Sequence, residues 1–185
     1  MRHQRIKYVT EEDKTKLLAV VTDQRNRTLL RLLLATGVRV SELVGFNVGD
    51  VRGRTILVIR GKGNKLRELP IADEIQTMLA AYIADKSYHG ESIDDTAPLF
   101  LNCWHQRIQP RGVHWNFVQW CKRAGLERMY SPHACRHYVG ITLLRKTQNL
   151  RIVQEYLGHS RVTTTQIYTQ LTTNDLKPAA ELLAA

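Results

Sequence analysis

The segment that most restricts the fold is Thr55-Ile-Leu-Val-Ile59, a short β-branched and aliphatic run followed almost at once by Gly61-Lys-Gly-Asn64. Such residues favour a pleated strand, and glycines on either side of Lys62 permit a tight reversal. Residues 66–71 can return as the partner strand, with Pro70 marking its end. Elsewhere the apolar residues recur at helical spacings. The chain is therefore expected to be mainly α with a small antiparallel β-hairpin or sheet.

Helix signals surround that hairpin. Thr10-Glu-Glu-Asp13 offers an N-cap hydroxyl and acids at the positive end of a helix dipole. A second helix is expected over residues 25–36, with Gly37 placed for a left-handed cap. Residues 73–84 read as helix, 87–97 as an acidic loop, and 111–123 as a helix behind Pro110. Ser131-Pro132 opens another, serine as N-cap and proline at the first helical position. Leu150–Leu157 and residues 164–171 read as short helices separated by Gly158, and residues 177–184 as a final tail helix. No internal repeat or interdomain linker interrupts this pattern.

Length and charge narrow the class. In 185 residues, 43% hydrophobic, a core can form without disulfides. No apolar run approaches the roughly 18 residues of a membrane span; residues 29–35 are interrupted by Arg31. Glu11, Glu12 and Asp13 stand where a signal peptide would be apolar. Cys103, Cys121 and Cys135 are scattered, as free thiols of a reducing compartment would be. A cytoplasmic protein without membrane attachment is expected. The net charge of +10 attracts polyanions. It is uneven: residues 1–70 hold 15 basic and 7 acidic side chains, residues 71–100 hold 1 and 6, and residues 101–185 hold 11 and 4. Two basic flanks meeting on one face, with the acidic middle turned away, is the arrangement expected.

Several residues could carry chemistry. If Ser131 caps a helix, His133 lies in its first turn and Arg136 shares its face, which suits a phosphate. His133 and His137 also have the i, i+4 spacing of zinc ligands. Ala134, however, stands where the general base of that motif would be, and no Cys-x-x-Cys pair exists. Arg39 follows a helix end, with Glu42 three residues on to orient it. Lys62 sits between glycines, but no phosphate-binding P-loop pattern surrounds it. His159 lies at a helix boundary, and Tyr168 follows nine residues later. A tyrosine needs neighbouring cations or a proton acceptor to act as a nucleophile. Each of these has an ordinary reading as a solvated turn lysine, a surface ion pair or a packing tyrosine.

Together they form a pattern. Arg39, Lys62, His133, Arg136, His159 and Tyr168 occur in the order and approximate spacing of the tyrosine recombinase, or phage integrase, family. The segments ATGVRVSEL, GKGNK, SPHACRH, LGHS and TTTQIYT resemble it locally. The resemblance spans roughly residues 8–171, the family's catalytic domain, and leaves 172–185 as a tail. Cys135, Tyr138, Gly140 and Thr147 depart from the usual types without removing a catalytic side chain. The family's separate N-terminal DNA-clamping domain is expected to be absent.

The resemblance implies a site-specific recombinase or integrase of mobile elements acting on double-stranded DNA, with a homo-oligomer, a tetramer in the family, as the active form. Tyr168 would attack a phosphodiester and form a 3′-phosphotyrosyl link. Arg39 and Arg136 would clamp the non-bridging oxygens, and His159 would add a hydrogen bond. His133 would assist proton movement from Tyr168 or support the transition state, Lys62 would protonate the leaving 5′-oxygen, and Glu42 would support Arg39. The intermediate stores the bond energy, so no cofactor or metal is required. The tail, through Leu176, Leu182 and Leu183, would dock on a neighbouring protomer. A type IB topoisomerase would use the same strand-breaking chemistry, and a DNA-binding regulator could retain the fold without the reaction.

Overall fold

The computed structural model describes residues 7–59 and 66–158. The helices are α1 (Glu11–Val20), α2 (Gln24–Thr36), α3 (Val40–Gly45), α4 (Asp73–Tyr88), α5 (Pro110–Arg123), α6 (His133–Thr147) and α7 (Leu150–Leu157). The strands are β1 (Val51–Arg52), β2 (Thr55–Ile59) and β3 (Leu66–Pro70), preceded by a 3₁₀ turn at Val48–Asp50. Residues 7–139 form one compact unit; the other holds, among the described residues, 140–158. The expected mainly helical fold with a small antiparallel sheet is what forms.

In the larger unit, α2 is the central helix. Thr28, Leu29, Leu30, Leu32, Leu33, Leu34 and Thr36 are all buried, so it lies inside the core rather than against it. Full burial of each leucine contributes about 1.5–3 kcal/mol. The Thr36 hydroxyl donates to the Leu32 carbonyl at 2.6 Å, which satisfies it without water. Asp23 caps the helix by accepting from the Asn26 N–H at 2.9 Å. Gly37 ends it at φ 62°, its N–H returning to the Leu33 carbonyl at 3.0 Å. Both boundaries lie within a residue of those expected.

The sheet has the order β1-β2-β3, all antiparallel. Ile56 pairs with Leu69 and Val58 with Arg67. Ile56, Val58 and Leu69 are buried, giving the period of two expected for a half-covered sheet. The third strand, β1, was not expected; two residues are too few to show a period.

Other boundaries also shift. α4 runs one turn beyond the expected Ala84 because Lys86 buries its stem and its Nζ meets Glu91 Oε2 at 2.6 Å. α6 begins at His133, not at Pro132. Its start is tightened by bonds from the Ala134 N–H to the Ser131 carbonyl (2.9 Å) and from the Cys135 N–H to the Pro132 carbonyl (3.1 Å).

Hydrogen bonds brace α1 against α6 and the segment before it. The Thr10 hydroxyl accepts from the Asp13 N–H at 3.1 Å, as expected of the cap. The Tyr138 hydroxyl donates to Glu11 Oε1 at 2.7 Å and accepts from Lys14 Nζ at 2.9 Å. The Tyr130 hydroxyl donates to Asp13 Oδ2 at 2.7 Å. Tyr138, a departure from the family pattern, thus gains a structural use. Cys135 is fully buried, and burial pushes its thiol up; all three cysteines are free. On α5, Val113, Phe117, Trp120 and Cys121 are buried, while Arg111, His114, Trp115 and Lys122 are exposed.

In the second unit, Asn149 caps α7 by accepting from the Arg151 and Ile152 N–H groups at 2.9 and 3.3 Å, and Gly158 closes it at φ 68°. Lys62, His159 and Tyr168, the expected helices at 164–171 and 177–184, and the tail lie outside the described residues.

Candidate active site

Arg39 is placed by two helices. Gly37 terminates α2, and Arg39 occupies the N-cap position of α3 in extended conformation (φ −68°, ψ 151°). α3 itself was not anticipated. Its third residue is Glu42, whose Oε2 accepts from the Arg39 N–H at 2.8 Å and whose Oε1 accepts from Arg39 Nη1 at 3.0 Å. The expected pairing of Glu42 with Arg39 is present, and it does two things. It caps α3, and it fixes the guanidinium while leaving that side chain 40% exposed.

A second cation faces the same carboxylate. Arg67 on β3 brings Nη2 to 3.7 Å from Glu42 Oε2, with both side chains largely buried. This residue escaped sequence reasoning. It lies 25 positions from Glu42, and only its strand alternation with the buried Leu69 hinted that it faces inward.

Arg136 approaches from α6. It is 2% exposed, and its Nη1 donates to the Gly37 carbonyl at 2.7 Å. A guanidinium remains charged at any ordinary pH, so its burial requires acceptors. The main chain at the end of α2 supplies one of them.

His133, one turn before Arg136, senses both arginines. Partial burial holds its imidazole below the usual histidine value, and the charges of Arg136 and then Arg39 add to this. Two guanidinium groups from different elements therefore bear on one ring. Beside it stands His137, with ring centroids 4.6 Å apart and planes at 86°. Burial, then His133 and Arg136, lowers His137 to about 4.

Of the residues singled out from sequence, Arg39, Glu42, His133 and Arg136 are thus brought together. The cluster has an excess of positive charge, with one carboxylate already engaged by two arginines. Such a field favours an anion with several oxygens. It opposes a cation, and among the described residues no group of three histidine, cysteine or acidic side chains could hold a metal. A separate cleft of about 540 Å³ beside α4 is lined by residues such as Ala80, Ile83 and Ile93 and offers no ionisable group.

Comparison with known proteins identifies the family. The model of the phage integrase family matches residues 7–175. The chain is 36% identical over 186 residues to tyrosine recombinase XerC of Thermodesulfovibrio yellowstonii, covering 95% of this chain and 60% of that protein. Among solved structures it resembles XerA recombinase, with a TM-score of 0.81 and 30% identity over 96% of this chain and 65% of the other. It also resembles XerH site-specific recombinase bound to its difH substrate, with a TM-score of 0.77 and 26% identity over 95% of this chain and 54% of the other. The chain spans about three fifths of the length of the XerC relative. With a family model matched along nearly its whole length and its arginines gathered around one imidazole, the chain belongs to the phage integrase family, the tyrosine recombinases.

Proposed function

We propose that this chain is the catalytic domain of a site-specific recombinase that breaks and rejoins DNA strands through a 3′-phosphotyrosyl intermediate. The observation that carries the reading is that Arg136, one turn after His133 on α6, donates to the Gly37 carbonyl at 2.7 Å, two residues from Arg39. Glu42 engages Arg39 without covering it, and two guanidinium groups suit a phosphodiester whose non-bridging oxygens gain charge on attack. At an effective dielectric of about 20, each pair of unit charges 4 Å apart is worth roughly 4 kcal/mol. Charge stabilisation on this scale is large enough to be the main catalytic effect.

The tyrosine hydroxyl of Tyr168 attacks phosphorus and displaces the 5′-oxygen of the next nucleotide. Lys62 supplies the proton to that oxygen, and His159 adds a hydrogen bond to the phosphate. His133, held mostly neutral near pH 7, accepts a proton as the phenol attacks. A second 5′-hydroxyl then reverses the step on another strand. One bond to phosphorus replaces another throughout, so the reaction needs neither ATP nor a metal.

The partner is double-stranded DNA. XerH, the DNA-bound relative, shares the fold, and exposed Arg111, His114, Trp115 and Lys122 on α5 offer cations and a flat ring to a duplex. Cytoplasmic location, assembly as a homo-oligomer on DNA and docking of the tail on a neighbouring protomer belong to the same proposal.

The test is a nicked duplex carrying the recombination site, from which the cleaved end diffuses away and traps the adduct. Tyr168→Phe is expected to bind this duplex but to form no covalent product, whereas the unaltered chain accumulates it. Equal adduct from the Phe variant would overturn the assignment of the nucleophile. Relaxation of supercoiled plasmid without strand exchange would identify a topoisomerase instead.

A further inference from the structure

His133 stands on the exposed first turn of α6, and among the described residues no hydrogen bond fixes its ring. The terminal torsion of a histidine is soft, so the imidazole plane needs some other constraint. His137 supplies one. It lies one turn further along the same face, with the centroids 4.6 Å apart and the planes nearly perpendicular at 86°. In such an edge-to-face contact the positive edge of one ring rests on the negative face of the other, which disfavours rotation of either. The other charged groups bearing on His133 are Arg136 on the same helix and Arg39 from the start of α3.

The second property of His137 is its neutrality. Burial and the adjoining positive charges keep it unprotonated down to about pH 4. It is therefore an uncharged wall near neutral pH. A charged neighbour at this position would oppose protonation of His133, and a small one would admit water behind the ring. We propose that His137 is a positioning residue for His133, setting the plane of the imidazole and shielding its inner face from solvent. The inference rests on the catalytic reading of His133 given above.

The experiment uses the full 185-residue chain with ¹⁵N-labelled histidines. The His133 signals are assigned by their loss in His133→Gln, and the ring is titrated without DNA in the unaltered chain, His137→Phe and His137→Ala. Desolvation is the largest influence holding His133 low. His137→Ala should therefore move its titration up, towards the ordinary histidine value. His137→Phe keeps an aromatic wall and should leave the titration low. On the nicked duplex at saturation, His137→Ala should cleave about tenfold or more slowly, the loss expected from a misplaced catalytic group, while the dissociation constant for DNA stays unchanged. His137→Phe should restore most of that rate.

An unmoved His133 titration in His137→Ala would overturn the proposal. So would a moved titration with undiminished cleavage, or a rate loss shared equally by the Phe variant. If the unaltered chain forms no adduct at all, the recombinase reading falls instead, and the titration alone then decides whether His137 governs the His133 ring.

Discussion

At Glu42 one carboxylate takes the backbone N–H and guanidinium of Arg39 and faces Arg67 on β3, so a single side chain caps a helix and orders two cations. The Arg39 half of this arrangement was readable, because three positions separate the partners and local spacing brings them together. Arg67 was not, because a contact across 25 positions depends on sheet register, which short patterns do not encode. His137 was noticed only as a possible metal ligand. Its depressed titration arises first from burial, which a linear sequence does not display, and only then from His133 and Arg136 on the same helix. That depression has a consequence for stability. The unfolded chain protonates its histidines near pH 6.5, whereas folded His137 resists until about pH 4. Between these values the unfolded state binds more protons, so stability must fall as pH drops through that window. His133, also lowered, acts in the same direction. Urea denaturation midpoints measured from pH 7 to pH 4 should decline, and His137→Phe should flatten the decline. A slope identical in the two chains would show that other groups account for it.

At the scale of elements, the strongest signals were terminal ones. Thr10, Gly37, Pro110 and Gly158 mark helix ends within about a residue, because caps act through local hydrogen bonds and backbone angles. Short elements were missed for the opposite reason. β1 has two residues and α3 has six, each below the length at which periodicity emerges. The last turn of α4 was missed because a buried Lys86 reads as polar until Glu91 is seen beside it. Gly37 is the cap with the most at stake. Its φ of 62° is the left-handed region, which costs a residue with a Cβ about 1–2 kcal/mol. Gly37→Ala should therefore lower unfolding free energy by about that amount, read by urea denaturation. An unchanged midpoint would mean that the turn relaxes without strain.

For the whole molecule, the uneven charge is the leading feature. The acidic stretch at residues 71–100 includes α4, while the cations gather near the site and along the outer side of α5. Binding to an arbitrary duplex should weaken as salt rises, because neutralised phosphates release their counterions. Replacing Arg111 and Lys122 together by glutamine should reduce the log–log salt slope by about 2, one for each lost phosphate contact. Fluorescence anisotropy of a labelled duplex between low and moderate salt measures this, and an unchanged slope would remove α5 from the DNA face.

Arg136 takes its aim from the carbonyl of Gly37. Every amino acid carries that oxygen, so substitutions that drift through neighbouring side chains over evolutionary time can leave the anchor untouched. What a lineage must inherit intact is the path of the main chain at that bend, which makes the geometry heritable through conformation more than through chemical identity.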